Sequence, residues 1–391
     1  MPLRKRYMFV LLAVLTTALA PAAAVGAAPD VTVVTSGLQG PRSVVFIGER
    51  AVVSESGTGG PDCFQSFLGE ACVGKTSQVT WVNTKTGAHT VLADGFFSQA
   101  DAQEQLGVSG LAVLGHTLYA QISGTSREVP SSIVAGQQAG DLIAINPANG
   151  SWKTLAKVGD LDFDFTTKFT EPTPGVYSPG TQEHDANPTG LLAADGAIFV
   201  ADSGANLVAR VSPSGKLSRV HYFPWRDPNP NNFPSDEVPT CIAPGEEGFW
   251  VGTLAGHLFR LDDEGSATQV VPKDSGGKPL LTHVTGCASS EDGTLYLVQM
   301  FGPGAAFQDP SFFNGSVVTY QPETGHAAVL ADTASVPTLF LPYSATIGPD
   351  GNLYVTAGAV CGAQGQGPPG CTAGNVKGGR LLKINLPHQG D

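Results

Sequence analysis

The 391-residue chain is 41% hydrophobic and 14% charged, with a formal charge of −13 at neutral pH. That acidic balance repels phosphate backbones and argues against nucleic-acid binding. The 49 glycines and 29 prolines, against three methionines, favour short strands and turns over long helices.

The chain opens on a leader. Arg4, Lys5 and Arg6 precede an apolar run from Tyr7 to Ala20, and small residues follow, with Ala22-Ala23-Ala24 and Val25-Gly26-Ala27 as cleavage tripeptides. The pattern predicts a Sec-type signal peptide over residues 1–27 and an extracellular mature chain. A bilayer-spanning helix needs about 20 apolar residues. The leader run falls short of that and no later segment approaches it, so no membrane span is expected. Loss of the leader removes three cations and no acid, which takes the formal charge from −13 to −16.

Next comes an isolated β-branched strand, Val31 to Thr35, and then a repeat. Pro188 to Asp202 (PTGLLAADGAIFVAD) matches Pro239 to Thr253 (PTCIAPGEEGFWVGT), Val284 to Val298 (VTGCASSEDGTLYLV) and Tyr343 to Thr356 (YSATIGPDGNLYVT). Weaker copies stand at Pro41 to Glu55 and Val108 to Ile122. Each copy reads as a strand of small residues, a tight Gly-containing turn and an alternating apolar strand. A third strand follows each: Gln78 to Val82, Asp141 to Ile145, Leu207 to Val211, His257 to Leu261, Ser316 to Tyr320 and Arg380 to Ile384. Fourth strands such as Thr90 to Ala93 and Ala327 to Ala331 complete the unit. Four antiparallel strands repeated six times predict an all-β, six-bladed β-propeller. The blades fall near 37–95, 107–158, 188–224, 239–272, 284–332 and 343–386, in one domain over 28–391. The sixth repeat stops after its third strand, so Val31 to Thr35 is expected to supply the fourth and close the ring, removing an exposed edge.

Six cysteines, none in a C-x-x-C pair, fit an oxidising compartment better than a zinc ribbon. Cys63 with Cys72 and Cys361 with Cys371 are the local pairs. Cys241 and Cys287 occupy nearly equivalent places in consecutive repeats; a bridge between inner strands and two buried thiols are both open readings.

The long segments (Ser56–Ser77, Gly124–Gly140, Gly159–Asn187, Pro224–Val238, Phe301–Gly315 and Gly358–Gly379) all join second to third strands or one blade to the next, and such connections share one face of a propeller. Elaborated loops on a rigid scaffold are where sites usually lie. Aromatics in or beside them are Phe96, Phe97, Trp225, Phe233, Phe301, Phe307, Phe312, Phe313, Phe340 and Tyr343, as loop anchors or as stacking surfaces for a ligand. Polar candidates at the starts of the inner strands are Arg42, Ser109, His184, Asp185, Asn187, Asp236, Glu237, His283 and Tyr343; Glu55 and Asp202 end second strands. A ring of carboxylates and amides is the donor type that Ca²⁺ takes, although no D-x-D-x-D-G loop occurs. The acidic run Asp160-Leu-Asp-Phe-Asp164 would place three carboxylates on one side of an extended segment, or form a solvated face. There is no G-x-S-x-G elbow, no H-E-x-x-H and no P-loop.

The segments Ser36–Ser43, Val53–Gly60, Asn187–Gly190, Val200–Asn206 and Gly348–Val355 resemble the ScyD/ScyE family of exported bacterial propellers, over nearly the whole mature chain. Glu55, Asn187, Asp202 and Asn206 match that family's polar positions. The resemblance implies fold and export and little about substrate. A looser similarity to NHL-repeat and gluconolactonase-like six-bladed propellers implies a divalent metal on the axis held through Glu, Asn and Asp. The leading expectation is a monomeric secreted binding protein using the elaborated face for a small molecule, glycan or protein partner. The alternative is a Ca²⁺-dependent lactonase or related hydrolase at the channel mouth.

Overall fold

The computed structural model describes residues 30–66, 69–101, 104–170, 181–224, 236–303, 310–365, 367–368, 370–372 and 377–387. The leader, and with it residues 1–27, lies outside the described residues. Six antiparallel sheets follow one another around a ring, as the repeat predicts. Blade 1 comprises Pro41–Ile47, Arg50–Glu55, Gly69–Val82 and His89–Ala100, and blade 2 Val108–Leu114, Thr117–Ile122, Asp141–Ile145 and Trp152–Lys157. Blade 3 is Pro188–Ala194, Ala197–Asp202, Leu207–Val211 and Leu217–Tyr222; blade 4 is Pro239–Pro244, Phe249–Thr253, Leu258–Leu261 and Ala267–Val270. Blade 5 is His283–Ser289, Leu295–Phe301, Ser316–Gln321 and His326–Asp332. Blade 6 takes Pro342–Ile347, Leu353–Ala357 and Gly379–Ile384 from the chain end and Val31–Leu38 from its start. Val31 pairs with Ile384 and Thr35 with Leu381, so the ring closes as expected.

Small residues on the inner strands have a steric cause. A Cβ on Gly190 would lie 2.5 Å from the Thr240 carbonyl oxygen, and one on Gly286 2.5 Å from that of Tyr343, each in the neighbouring blade. Hydroxyls use the same closeness. Ser109 Oγ donates to the Pro188 carbonyl at 3.3 Å, Ser203 Oγ to Pro239 at 2.9 Å and Thr240 Oγ1 to Val284 at 2.7 Å, while Thr356 Oγ1 donates to Arg42. Four inner strands are thus tied to the neighbouring blade through their carbonyls by side-chain hydroxyls, each bond contributing about 1 kcal/mol net. Further out, aromatic pairs fill the blade junctions: Phe199 with Phe249 at 4.4 Å, Phe46 with Tyr354 at 4.9 Å and Trp250 with Tyr320 at 6.0 Å. The hairpin turns on the opposite face are short. In blade 3, Asp195 and Gly196 both hold positive φ (49° and 67°), the two-residue geometry that matches strand twist.

Two expectations on the elaborated face are corrected. Ser56–Ser77 is no loop: Asp62–Ser66 pairs with the start of Gly69–Val82 as a hairpin, with Cys63 opposite Cys72, and that third strand begins nine residues before Gln78. The acidic run is no extended segment either, but part of helix α1 (Val158–Thr166). Its alternating acids read as a strand because long-range partners decide its conformation: Asp160 accepts from Thr125 and Ser126, and Arg219 reaches Asp162. All six cysteines are bonded, as Cys63–Cys72, Cys361–Cys371 and Cys241–Cys287, the last joining the inner strands of blades 4 and 5. Among the described residues no helix is long and apolar enough to cross a membrane.

Candidate functional site

The axial passage between the inner strands encloses about 310 Å³ and is lined mainly by apolar residues and by Ser and Thr such as Ser109 and Thr240, with Tyr343 among the lining. A much larger cavity, about 1100 Å³, opens off the axis on the elaborated face over blades 1, 2 and 3. Phe64 from the disulfide-closed hairpin gives it an apolar wall, backed by the fully buried Phe97 from the last strand of blade 1. Asp101 and Glu104 come from the connection between blades 1 and 2, Arg127 and Glu128 from the loop after the second strand of blade 2, and His184, Asp185 and Asn187 from the approach to blade 3.

Carboxylates dominate the lining. Burial pushes the Glu104 carboxyl up to about 7, Asp185 adds to the rise, and Arg42 opposes it. Asn187 Nδ2 lies 3.4 Å from Glu104 Oε1. Burial also raises Glu128, to about 8, together with the charges of Asp185 and Glu104 and a hydrogen bond to the Asp185 carboxylate. Arg42, 8% exposed, donates to the Gln105 carbonyl at 2.7 Å and sits 4.5 Å from the centre of the Tyr343 ring. Arg127, at the rim, is paired with Asp164 at 2.9 Å. The cavity lining therefore gathers more carboxyls than its cations offset, and those of Glu104 and Glu128 gain a proton or a cationic partner readily near neutral pH.

The sequence-derived candidates divide. His184, Asp185 and Asn187 line the cavity, and Arg42 and Tyr343 stand behind Glu104, within range of its charge. Glu55 does not join them. Its two carboxylate oxygens accept from the Gln39 N–H at 2.6 Å, from Gln78 Nε2 at 2.8 Å and from Thr80, so it fastens blade 1 to the preceding turn. Asp202 Oδ1 accepts the N–H groups of Asn187, Gly204 and Ala205. Asn206 donates to Gln182 and Asp236 and accepts the Val238 N–H. Both shape the loops of blade 3. Glu237 pairs with His257 at 2.7 Å on blade 4, and His283 is buried against Phe301 and Phe312 in blade 5. Ser109 is one of the hydroxyls that tie neighbouring blades. Phe301 stacks on Phe312 at 4.2 Å and Phe313 on Phe340 at 6.3 Å, so these aromatics anchor loops. Trp225, Phe233 and Phe307 lie outside the described residues.

Sequence reasoning missed Asp101, Glu104 and Glu128. A signal existed for Glu104, which stands four residues before the inner strand at Val108 much as Asp185 stands three before Pro188. Choosing Ser109 within the strand passed over it. Glu128 sits in an irregular loop and carried no positional signal.

Calcium does not find a ready cage. Ca²⁺ takes six to eight oxygens at about 2.3–2.6 Å. Among the described residues, only Cys63, Glu70 and Cys72 bring three ligand-type atoms within 4.8 Å of one another, and those two cysteines are bonded to each other.

No protein-family profile matches the chain. No curated protein matches it either. Solved structures do. A protein of unknown function from Bacteroides thetaiotaomicron superposes with a TM-score of 0.55 at 10% identity, covering 92% of this chain and 76% of that one. The calcium-binding protein regucalcin from Agrobacterium tumefaciens gives 0.50 at 15% identity, covering 89% and 90%. A gluconolactonase from Xanthomonas campestris gives 0.48 at 13% identity, covering 92% and 90%. At these identities the likeness is one of fold: this chain is a six-bladed propeller similar in architecture to such proteins.

Proposed function

We propose that the protein is an exported binding propeller whose ligand is a small organic cation, an amine on an apolar or aromatic body, seated in the off-axis cavity. The observation that carries this reading is the meeting of an apolar wall at Phe64, backed by the fully buried Phe97, with the clustered carboxyls of Glu104, Glu128 and Asp185 in a space of about 1100 Å³. A cavity of this size and mixed lining suits a small molecule. An ammonium group would replace the protons those carboxyls otherwise take up, and an adjacent ring adds cation–π attraction. The three disulfides support an extracellular setting, and the blade motifs quoted above support kinship with the ScyD/ScyE group. Calorimetry with matched aryl-alkyl amines and their neutral isosteres tests the reading. Amines should bind at least about tenfold more tightly, a difference of about 1.4 kcal/mol, and Glu104→Gln with Glu128→Gln should erase the preference. Equal affinity for the neutral set would reject it.

A second reading is favoured by the same two acids. Carboxyls that titrate near neutral pH suit general acid–base catalysis, as in a lactonase or glycoside hydrolase. Turnover of a lactone or glycoside by the purified protein, lost in Glu128→Gln, would establish it.

A further inference from the structure

Helix α1 meets blade 3 through carboxylates. Asp162 and Asp202 are both 0% exposed. Three backbone N–H groups occupy Asp202 Oδ1, while Asp202 Oδ2 and Asp162 Oδ2 have no hydrogen-bond donor among the described residues. Among the described residues one cation reaches the pair: Arg219 Nη2 lies 3.2 Å from Asp162 Oδ1 and balances one of the two charges. An unbalanced buried carboxylate costs several kcal/mol, and such a group takes up a proton instead. The same helix carries Phe163, whose ring stacks at 3.9 Å on His184, a residue of the cavity wall.

The geometry points to a proton latch, in which one proton shared by Asp162 and Asp202 holds α1 on blade 3 and, through the Phe163–His184 stack, fixes the wall of the ligand cavity. The inference rests on the proposed binding site only for the consequence of that wall moving.

Among the described residues, the surroundings leave this pair as the unbalanced one. On α1 itself, Asp160 is held by Thr125 and Ser126, and Asp164 pairs with Arg127. From the last strand of blade 2, Lys157 lies 3.9 Å from Asp160 and 3.7 Å from Asp141. Lys168, beyond the helix end, sits over Phe165 at 3.7 Å. Blade 3 contributes Arg219, and also Tyr222, whose phenol is pushed up by burial. The approach to blade 3 contributes Asp185, whose charge adds to that of Asp162 in raising Asp202. Burial, first, pushes both Asp162 and Asp202 above the usual carboxylate range; Arg219 opposes the rise at Asp162. Raised values mean that the proton-bound pair belongs to the docked helix. Docking is at full strength below the unfolded carboxyl range, about 4, and weakens as pH rises through the folded values.

Hydrogen exchange of the 158–166 segment in the mature chain, corrected for intrinsic rates, reads the latch directly, and ring-proton shifts of His184 report the stack. Between pH 6 and pH 9 the segment should lose at least about tenfold protection, one proton giving at most about tenfold per pH unit. The upfield displacement of the His184 ring signals should vanish over the same range. Asp202→Asn keeps the oxygen that the three N–H groups use and offers Asp162 a permanent donor. It should hold protection at the acid value throughout. Asp162→Asn removes the paired carboxylates from the other side and serves should the first variant not fold. Protection independent of pH in the native chain, or a native pH profile in either variant, overturns the latch. No ligand enters these measurements, so they succeed or fail independently of the amine-binding reading.

Discussion

Asn187 reaches Glu104 across the boundary between blades 2 and 3, its side-chain amide 3.4 Å from Oε1, while its own backbone N–H is pinned by Asp202 at 2.8 Å. The amide is thereby aimed at a carboxyl that burial has already raised to about 7.

That rise fixes a pH dependence. Glu104 binds its proton more tightly folded than unfolded, so its contribution is complete below the unfolded value and is lost as pH climbs through about 7. Urea unfolding should give a lower free energy at pH 8.5 than at pH 5.5, with Glu104 supplying about 1–2 kcal/mol of the difference. Glu104→Gln should shrink the difference by that amount. An unchanged pH slope in the variant would remove Glu104 from the account.

Glu55 behaves differently. It is 2% exposed and its oxygens are occupied by Gln39, Gln78 and Thr80, so its loss is a matter of stability. Glu55→Ala should cost about 2–4 kcal/mol, because one buried and two half-buried donors lose their acceptor. Amine binding by the folded fraction should be unaltered, and a variant that stays as stable as the native chain contradicts the assignment.

The Cys241–Cys287 bridge spans 46 residues and joins the inner strands of two blades. Replacing both cysteines by serine should lower unfolding free energy by about 2–4 kcal/mol, visible as a shifted denaturant midpoint. Titration of two free thiols in the unreduced native protein would refute the bridge.

Chelation offers a separate check on the two functional readings. With no three carboxylates converging within cation-ligand spacing among the described residues, EDTA should leave the melting temperature within about 1 °C of the untreated protein. A fall of several degrees, restored by Ca²⁺, would favour the metal-dependent hydrolase.

The blades were legible because each repeats a local grammar. Small inner-strand residues answer the crowding of Gly190 against Thr240, and turn pairs such as Asp195-Gly196 mark the hairpins. The site was legible only in part. His184, Asp185 and Asn187 precede a recognisable inner strand, so their place on the elaborated face follows from the repeat. Glu55 and Asp202 looked the same in sequence, yet the bonds that consume them come from Gln78, Thr80, Gly204 and Ala205, partners that only the folded loop brings close. Helix α1 shows the converse: its acids alternate like a strand, and its shape is imposed by Ser126 and Arg219, distant in sequence.

The pairing of Val31 with Ile384 also governs when the molecule can be finished. The first strand of the fold is made long before its neighbour, so blade 6 stays incomplete and the hoop stays open until Gly379–Ile384 has been synthesised. Once shut, the seam brings Asp30 and Asn385 into hydrogen-bond contact at 2.7 Å. The two ends are then near enough for a short peptide to join them, and the ring could be reopened at a different blade without altering its circumference.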